Sequence, residues 1–364
     1  MITLKDLNLK YNPFRDITPN IDNSNVVWAG MKEVKSKLER SYKDCINNNS
    51  KQIILNWGPY GGGKTFSAYY FHNDMKDADN LTHIYVRCPK EGSKATDEFF
   101  KSIIDSLSFE VLNQHINDLI NQNGEEELIK FLTPRASKEY AKAICLLGSQ
   151  DEAISEMMNR FLYSGLTKTE LKKLGLAKDI QTDNDSVKFL SGILACFTGT
   201  DDIWDGRLVF WLDEMEDLIY FAPKNYKAFS QILRDLFDNI PDRFLFFMNF
   251  TLAEGEESTI ELILGGALWS RVTKKIRFKE FSEDDALEYV NDLLSSSKIS
   301  KQEAKPFNEE IKRIIISNIP LNNLTPREIN KHINNLISYA LENDVSSINK
   351  NTLSDWIKEY SEDT

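Results

Sequence analysis

Apolar residues gather in three short continuous runs, each closed by polar or glycine-rich sequence. Gln52-Ile-Ile-Leu-Asn-Trp57, Leu208-Val-Phe-Trp-Leu212 and Arg243-Phe-Leu-Phe-Phe-Met-Asn249 read as buried strands of a parallel sheet. Thr82 to Cys88 and Lys274 to Phe278 read as two more strands. Phe66 to Phe71 and Tyr226 to Asn239 carry helical spacing. From Phe281 onward the pattern is helical only. Ser282-Glu-Asp-Asp285 resembles a capping box and opens a helix through Leu294. Pro306 to Ile316 and Leu353 to Tyr360 read as further helices. Between them, Thr325-Pro-Arg-Glu328 is a strong start signal for a helix to about Glu342. Thr325 is the N-cap, proline follows at the first helical position, and a glutamate stands three residues after the cap.

About 119 residues, Pro89 to Arg207, separate the second and third strands, several times the usual connection length. This stretch is helical by period: Phe99, Ile103, Ile104 and Leu107 share one face, and Ala153, Met157 and Phe161 share another. Thr167-x-x-Glu170 resembles a second capping box. Leu190-Ser-Gly192 resembles part of the transporter signature of ABC proteins, but Ile193-Leu194 follow in place of Gly-Gln, so it reads as helix. The organisation expected is an α/β core over 1–280 with a helical insertion at about 90–206, then an all-α lid over 281–364.

The chemistry lies at the strand ends. Gly58-Pro-Tyr-Gly-Gly-Gly-Lys-Thr65 follows the first strand directly and opens a helix. It matches G-x-x-x-x-G-K-[ST] in the strand–loop–helix context that the motif needs. Glycines let backbone N–H groups turn inward around a β-phosphate, and the helix N-terminus adds partial positive charge. Gly58, Pro59, Tyr60, Gly61, Gly62, Gly63, Lys64, Thr65 and Phe66 are therefore the expected nucleotide contacts, for ATP with Mg²⁺. Lys64 would reach the β- and γ-phosphates, and the Thr65 hydroxyl the metal. The run at Leu208 ends in Asp213-Glu214. Asp213 would hold Mg²⁺ through water, and Glu214 would polarise the attacking water. Asn249, at the tip of the next strand, would orient that water, with Thr251 as second choice. Arg271, just before the last strand, would act in trans on a neighbour's γ-phosphate; a plain surface arginine is the alternative. Arg327, in the first turn of its helix, would swing onto bound phosphate, against the alternative of a solvent-facing arginine.

Composition narrows the partners. The net charge is −12, where a protein gripping phosphate backbones usually shows a basic face. No helix after Arg277 is basic with recognition-like spacing, so DNA contact is expected only through an oligomer or a partner. The four cysteines, Cys45, Cys88, Cys145 and Cys196, form no C-x-x-C pair, which fits a reducing cytoplasm. The N-terminus has no apolar run behind its charges, and no stretch is long enough to span a membrane.

Taken in order, Gly58 to Thr65, Asp213-Glu214, Asn249, Arg271 and Thr325-Pro-Arg327 resemble Walker A, Walker B, sensor 1, arginine finger and sensor 2 of an AAA+ ATPase. The Thr-Pro-Arg lid signature and the Asn12-Pro-Phe14 lead-in are similar to the initiator branch. That branch includes origin-recognition ATPases, regulators of Tn7-like transposition and ATPases of BREX-type phage defence. The segment from Phe161 to Leu218 is most similar to the BREX-type group. The resemblance implies a P-loop core with a five-stranded parallel sheet in the order 5-1-4-3-2, a helical lid and head-to-tail oligomers. It also implies that an N-terminal strap, with Pro13, Phe14, Val26 and Val27, lines the base pocket. Trp28-Ala-Gly30 departs from the glycine-arginine pair usual there. The expected function is an ATP-hydrolysing regulator, a homo-oligomer whose insertion docks a partner protein, acting on DNA in defence or mobile-element biology. A non-hydrolysing, nucleotide-gated scaffold is the alternative, and a P-loop kinase a third reading.

Overall fold

The three apolar runs become the three interior strands of one sheet. The computed structural model describes residues 2–15, 26–76, 78, 80–200, 202–252, 257–300 and 308–362. In chain order it contains α1 (Lys32–Asn48), β1 (Lys51–Gly58), α2 (Lys64–Asp74), β2 (Leu81–Arg87), α3 (Ala95–Leu107), α4 (Phe109–Asn123), α5 (Glu125–Ala136), α6 (Lys138–Leu147), α7 (Glu152–Tyr163), α8 (Lys168–Lys173) and α9 (Asp183–Thr198). There follow β3 (Arg207–Asp213), α10 (Pro223–Asn239), β4 (Phe244–Thr251), α11 (Glu257–Trp269), β5 (Val272–Arg277), α12 (Glu283–Ser297), α13 (Glu309–Ser317), α14 (Pro326–Glu342) and α15 (Lys350–Glu362). The chain divides into two compact units. One comprises Lys37–Trp57 and Met75–Ile276; the other comprises Met1–Ser36, Gly58–Asp74 and Arg277–Thr364. The strap and the P-loop segment thus group with the lid helices rather than with the sheet.

In the sheet unit the strands run β2-β3-β4-β1-β5, the expected parallel order read from the other edge. β2 pairs with β3 from Leu81↔Arg207 to Arg87↔Asp213, and β3 with β4 from Leu208↔Phe244 to Leu212↔Met248. β1, β3 and β4 are buried almost end to end, whereas β5 at an edge is buried only at Ile276. That follows from position: an interior strand of a parallel sheet has no solvent face. Leu208, Phe210 and Leu212 join one face of the core with Ile53, Leu55, Ile84 and Phe246. The other face carries Trp211, stacked on Phe247 at 3.9 Å and donating from Nε1 to the Tyr42 hydroxyl of α1 at 3.2 Å.

The long β2–β3 connection is helical, as its period predicts. Thr167 and Glu170 form a reciprocal capping box, and Thr182 with Asp185 forms another at the start of α9. α9 is the core helix of the insertion, with Val187 and Phe189 through Thr198 all buried, so Leu190-Ser-Gly192 is helix. An all-round apolar helix must be surrounded. α10 starts at Pro223, earlier than Tyr226, because proline suits the first helical position.

In the other unit, Ser282 and Asp285 cap α12 reciprocally, and the Thr325 hydroxyl accepts from the Glu328 amide at the start of α14. The apolar faces of α12 to α15 close on Leu7, Leu9 and Phe14 of the strap. Pro306, the expected start of the second lid helix, lies outside the described residues; α13 begins after the Asn308 cap.

Gly192 marks a close helix contact of the insertion. A Cβ there would meet Ile144 Cδ1 and lie 2.8 Å from the Ala136 Cβ. Gly192→Val is expected to lower stability by about 1–3 kcal/mol through overpacking, read as a reduced urea midpoint; an unchanged midpoint would contradict this packing.

Candidate functional site

β1 ends at Gly58, and the chain turns through Pro59 to Gly63 before α2 begins at Lys64. Gly61 has φ +73°, a conformation that L side chains avoid, and a Cβ there would sit 2.6 Å from the Arg327 Cβ. At Gly58, a Cβ would run into the Phe278 carbonyl oxygen. The Gly62 amide donates to the Pro59 carbonyl at 3.2 Å and closes the turn. Inside it lies Lys64, only 5% exposed. Its ammonium donates to the carbonyls of Gly58 at 3.0 Å and Pro59 at 2.8 Å. Thr65 follows in the first turn of α2, where a helix presents its N-terminal N–H groups. A left-handed glycine turn, a helix start and a buried ammonium suit a polyphosphate. The ring of Phe66, next in α2, lies 5.7 Å from that of Trp28.

The lid arginine reaches this loop. The Arg327 guanidinium lies 4.0 Å above the Tyr60 ring, and its amide donates to the Gly61 carbonyl at 3.4 Å. Of the strap residues, Pro13, Val26 and Val27 are partly buried. Phe14 is 0% exposed and sits in the lid cluster. There it packs with Leu7 and Leu9 of the same segment. Met31, which sequence reasoning passed over, places its Cε 3.0 Å from where a Gly63 Cβ would stand.

The acidic pair lies at the end of β3. Asp213 is 3% exposed. Its Oδ2 accepts the Tyr85 hydroxyl at 2.8 Å, and its Oδ1 accepts the Glu214 amide at 3.0 Å. Glu214 has left-handed backbone angles, φ 58° and ψ 36°, a strained state for a residue with a side chain. Burial raises the Glu214 pKa, and the Arg87 guanidinium, 3.6 Å away, opposes that rise. Neither Tyr85 nor Arg87 was legible beforehand. The signal was the register, which sets Arg87 opposite Asp213.

Asn249 of β4 is 0% exposed, and its Oδ1 accepts Asn56 Nδ2 of β1 at 3.0 Å. Asn56 Oδ1 and Asn249 Nδ2 have no hydrogen-bond partner among the described residues. Thr251, the second choice, gives its amide to Glu216 Oε2 at 2.9 Å. Asn56, Asp213 and Asn249 thus lie toward the C-terminal ends of neighbouring parallel strands, where open α/β sheets place their ligands. Arg271 is already engaged. Its guanidinium makes two 2.6 Å bonds to the Asp238 carboxylate, which raises its pKa further. Action on a neighbouring subunit would first have to break that pair.

No group of three or more His, Cys, Asp or Glu that could hold a metal occurs among the described residues. No described helix is long and apolar enough to cross a membrane. All four cysteines are free and buried.

The asparagine pair yields a direct expectation. Asn56→Ala removes the donor to a buried Asn249 and should cost about 1–3 kcal/mol in urea unfolding. The Asn56→Ala/Asn249→Ala double variant should cost less than the sum of the single losses; strict additivity would contradict the pairing.

No family model matches the sequence, and no curated protein matches it. Solved structures do share its architecture. The ORC1 protein of Aeropyrum pernix in complex with DNA matches with TM-score 0.51 and 11% identity, over 95% of this chain and 69% of that one. A Walker-type ATPase of Pyrococcus abyssi matches with TM-score 0.51 and 11% identity, over 96% and 76%. Drosophila ORC bound to DNA matches with TM-score 0.51 and 9% identity; this chain spans 65% of that one. With the sheet order and the strand–loop–helix context of Lys64, these matches show that the chain shares the fold of these ORC and Walker-type ATPase structures.

Proposed function

We propose that this protein binds Mg²⁺·ATP at Gly58 to Thr65 and hydrolyses it, and that its nucleotide state controls self-assembly and the recruitment of a partner enzyme on DNA. The observation that carries the reading is the buried Lys64 ammonium inside a left-handed glycine turn at a helix start. Water seldom supports a charge placed there, whereas a polyphosphate would.

The residues divide the work. Lys64 and the loop amides would bind the β- and γ-phosphates. Thr65 and Asp213 would hold the metal, which supplies charge neutralisation at the phosphates. Glu214 would take up a proton from the attacking water, with its carboxylate partly desolvated on a left-handed backbone. Asn249, backed by Asn56, would orient that water. Arg327 would bind the γ-phosphate from the lid. The net charge of −12 speaks against a single copy gripping DNA, so DNA contact would come through an oligomer or a partner docked on the insertion. Defence against phage or control of a mobile element is the setting that fits the sequence resemblance.

One observation favours a second reading, a nucleotide-gated scaffold without turnover: Arg271 is closed on Asp238 of its own chain. Two measurements separate the readings. Phosphate release should fall about 10²- to 10⁴-fold in Glu214→Gln with ATP affinity retained, and Lys64→Ala should lose affinity itself. Light scattering should show a larger species with Mg²⁺·ATP than with ADP, lost in Arg271→Ala. Equal turnover in Glu214→Gln would sink the hydrolytic role, and a monomer in every state would favour the scaffold.

The pH dependence has a definite sign. Burial favours the protonated Glu214, and Arg87 favours the carboxylate. Arg87→Ala removes the larger of the two cationic influences that oppose burial, so the acidic limb of the kcat/KM profile should move to higher pH. A limb that stays put or moves down would contradict Glu214 as the base.

A further inference from the structure

Tyr60 is the third residue of the P-loop and 71% exposed. A large aromatic ring on a phosphate loop has no core to fill. One of its faces is covered by the Arg327 guanidinium at 4.0 Å. The loop itself fixes this placement. The Arg327 amide donates to the Gly61 carbonyl, and the Arg327 side chain packs so closely that a Cβ on Gly61 would lie 2.6 Å from its Cβ. Arg327 Nε is buried, yet has no hydrogen-bond partner among the described residues.

A planar guanidinium offers two different surfaces. Its face stacks on an aromatic ring, and its edge carries five N–H donors in a fixed fork. Stacking on Tyr60 occupies the face and leaves the edge for an acceptor. An unsatisfied buried donor costs free energy unless an acceptor arrives. At this place the acceptor that fits a cationic fork is a phosphate oxygen.

We propose that Tyr60 is a positioning residue that holds Arg327 by its face at the phosphate loop, so that the arginine edge is preset for the γ-phosphate of a nucleoside triphosphate. The inference rests on the nucleotide-binding reading of Gly58 to Thr65. It makes the loop's third residue a selector of triphosphate over diphosphate. The diphosphate supplies no γ-oxygen, so it gains nothing from a preset arginine. The phenol oxygen has no part in this, and the ring suffices.

The test combines an apoprotein cycle with nucleotide titrations of the full chain. Without nucleotide, urea unfolding of Tyr60→Ala, Arg327→Ala and the double variant should reveal a coupling of about 2- to 5-fold in the folding equilibrium constant. Titration with ATP and with ADP, each with Mg²⁺, should show Tyr60→Ala weakening ATP by about 3- to 10-fold, the cost of ordering a free arginine on binding. ADP affinity should change less than about twofold, because the preset contact is absent. Tyr60→Phe should restore the wild-type ATP-to-ADP ratio, and in Arg327→Ala the Tyr60→Ala change should have no further effect on it. Equal weakening of both nucleotides, or additive effects on the ratio, would overturn the role of Tyr60 while leaving the loop as the nucleotide site. A wild-type protein that binds neither nucleotide would overturn both.

Discussion

A lysine ammonium with almost no access to water has to be held by oxygen atoms that the chain itself turns toward it, and Lys64 is held by the carbonyls of Gly58 and Pro59. That requirement shapes the loop. The backbone passes through the left-handed region at Gly61, and β1 ends at Gly58 against Phe278, where a side chain would collide. The loop must then deliver its lysine at the first position of a helix, where the N–H groups point the same way. The glycines, the strand end and the helix start are thus consequences of placing one cation beside a helix N-terminus.

A similar economy governs the polar residues of the sheet unit. β1, β3 and β4 are apolar nearly throughout, and the polar groups at their C-terminal ends are largely paired. Asp213 receives the Tyr85 hydroxyl and Asn56 meets Asn249, and just beyond β3 Glu214 faces Arg87 and Glu216 takes the Thr251 amide. Buried polar groups persist in such strands only when satisfied or when a ligand completes them. The two open atoms of the asparagine pair and the left-handed backbone of Glu214 are departures from lowest local energy in the sheet unit that lie toward the C-terminal ends of its strands. Strain and unmet polar capacity gather at sites that await a ligand more often than elsewhere.

What could be read from the chain beforehand was local. Three apolar runs stood out because interior strands of a parallel sheet are buried on both faces. The glycine loop stood out because it sits between a strand and a helix, and Ser282, Thr167 and Thr325 because capping chemistry spans four residues. What could not be read was non-local. Tyr85 and Arg87 depend on the register of β2 against β3, Asn56 on the adjacency of β1 and β4, and the hold of Asp238 on Arg271 on two segments 33 residues apart. Phe14 shows a different ambiguity. An apolar residue in a strap can line a pocket or fill a core with equal hydrophobicity, and its packing with Leu7, Leu9 and the lid helices is not legible in the sequence.

The central claim is that the backbone between Gly58 and Thr65 closes around phosphate. Amide hydrogen exchange over that segment, with and without Mg²⁺·ATP, tests it most directly. The account predicts that the loop and first-turn amides exchange markedly more slowly with nucleotide, and that Lys64→Ala abolishes the slowing. Unchanged exchange across these residues in the wild-type protein at saturating nucleotide would contradict it.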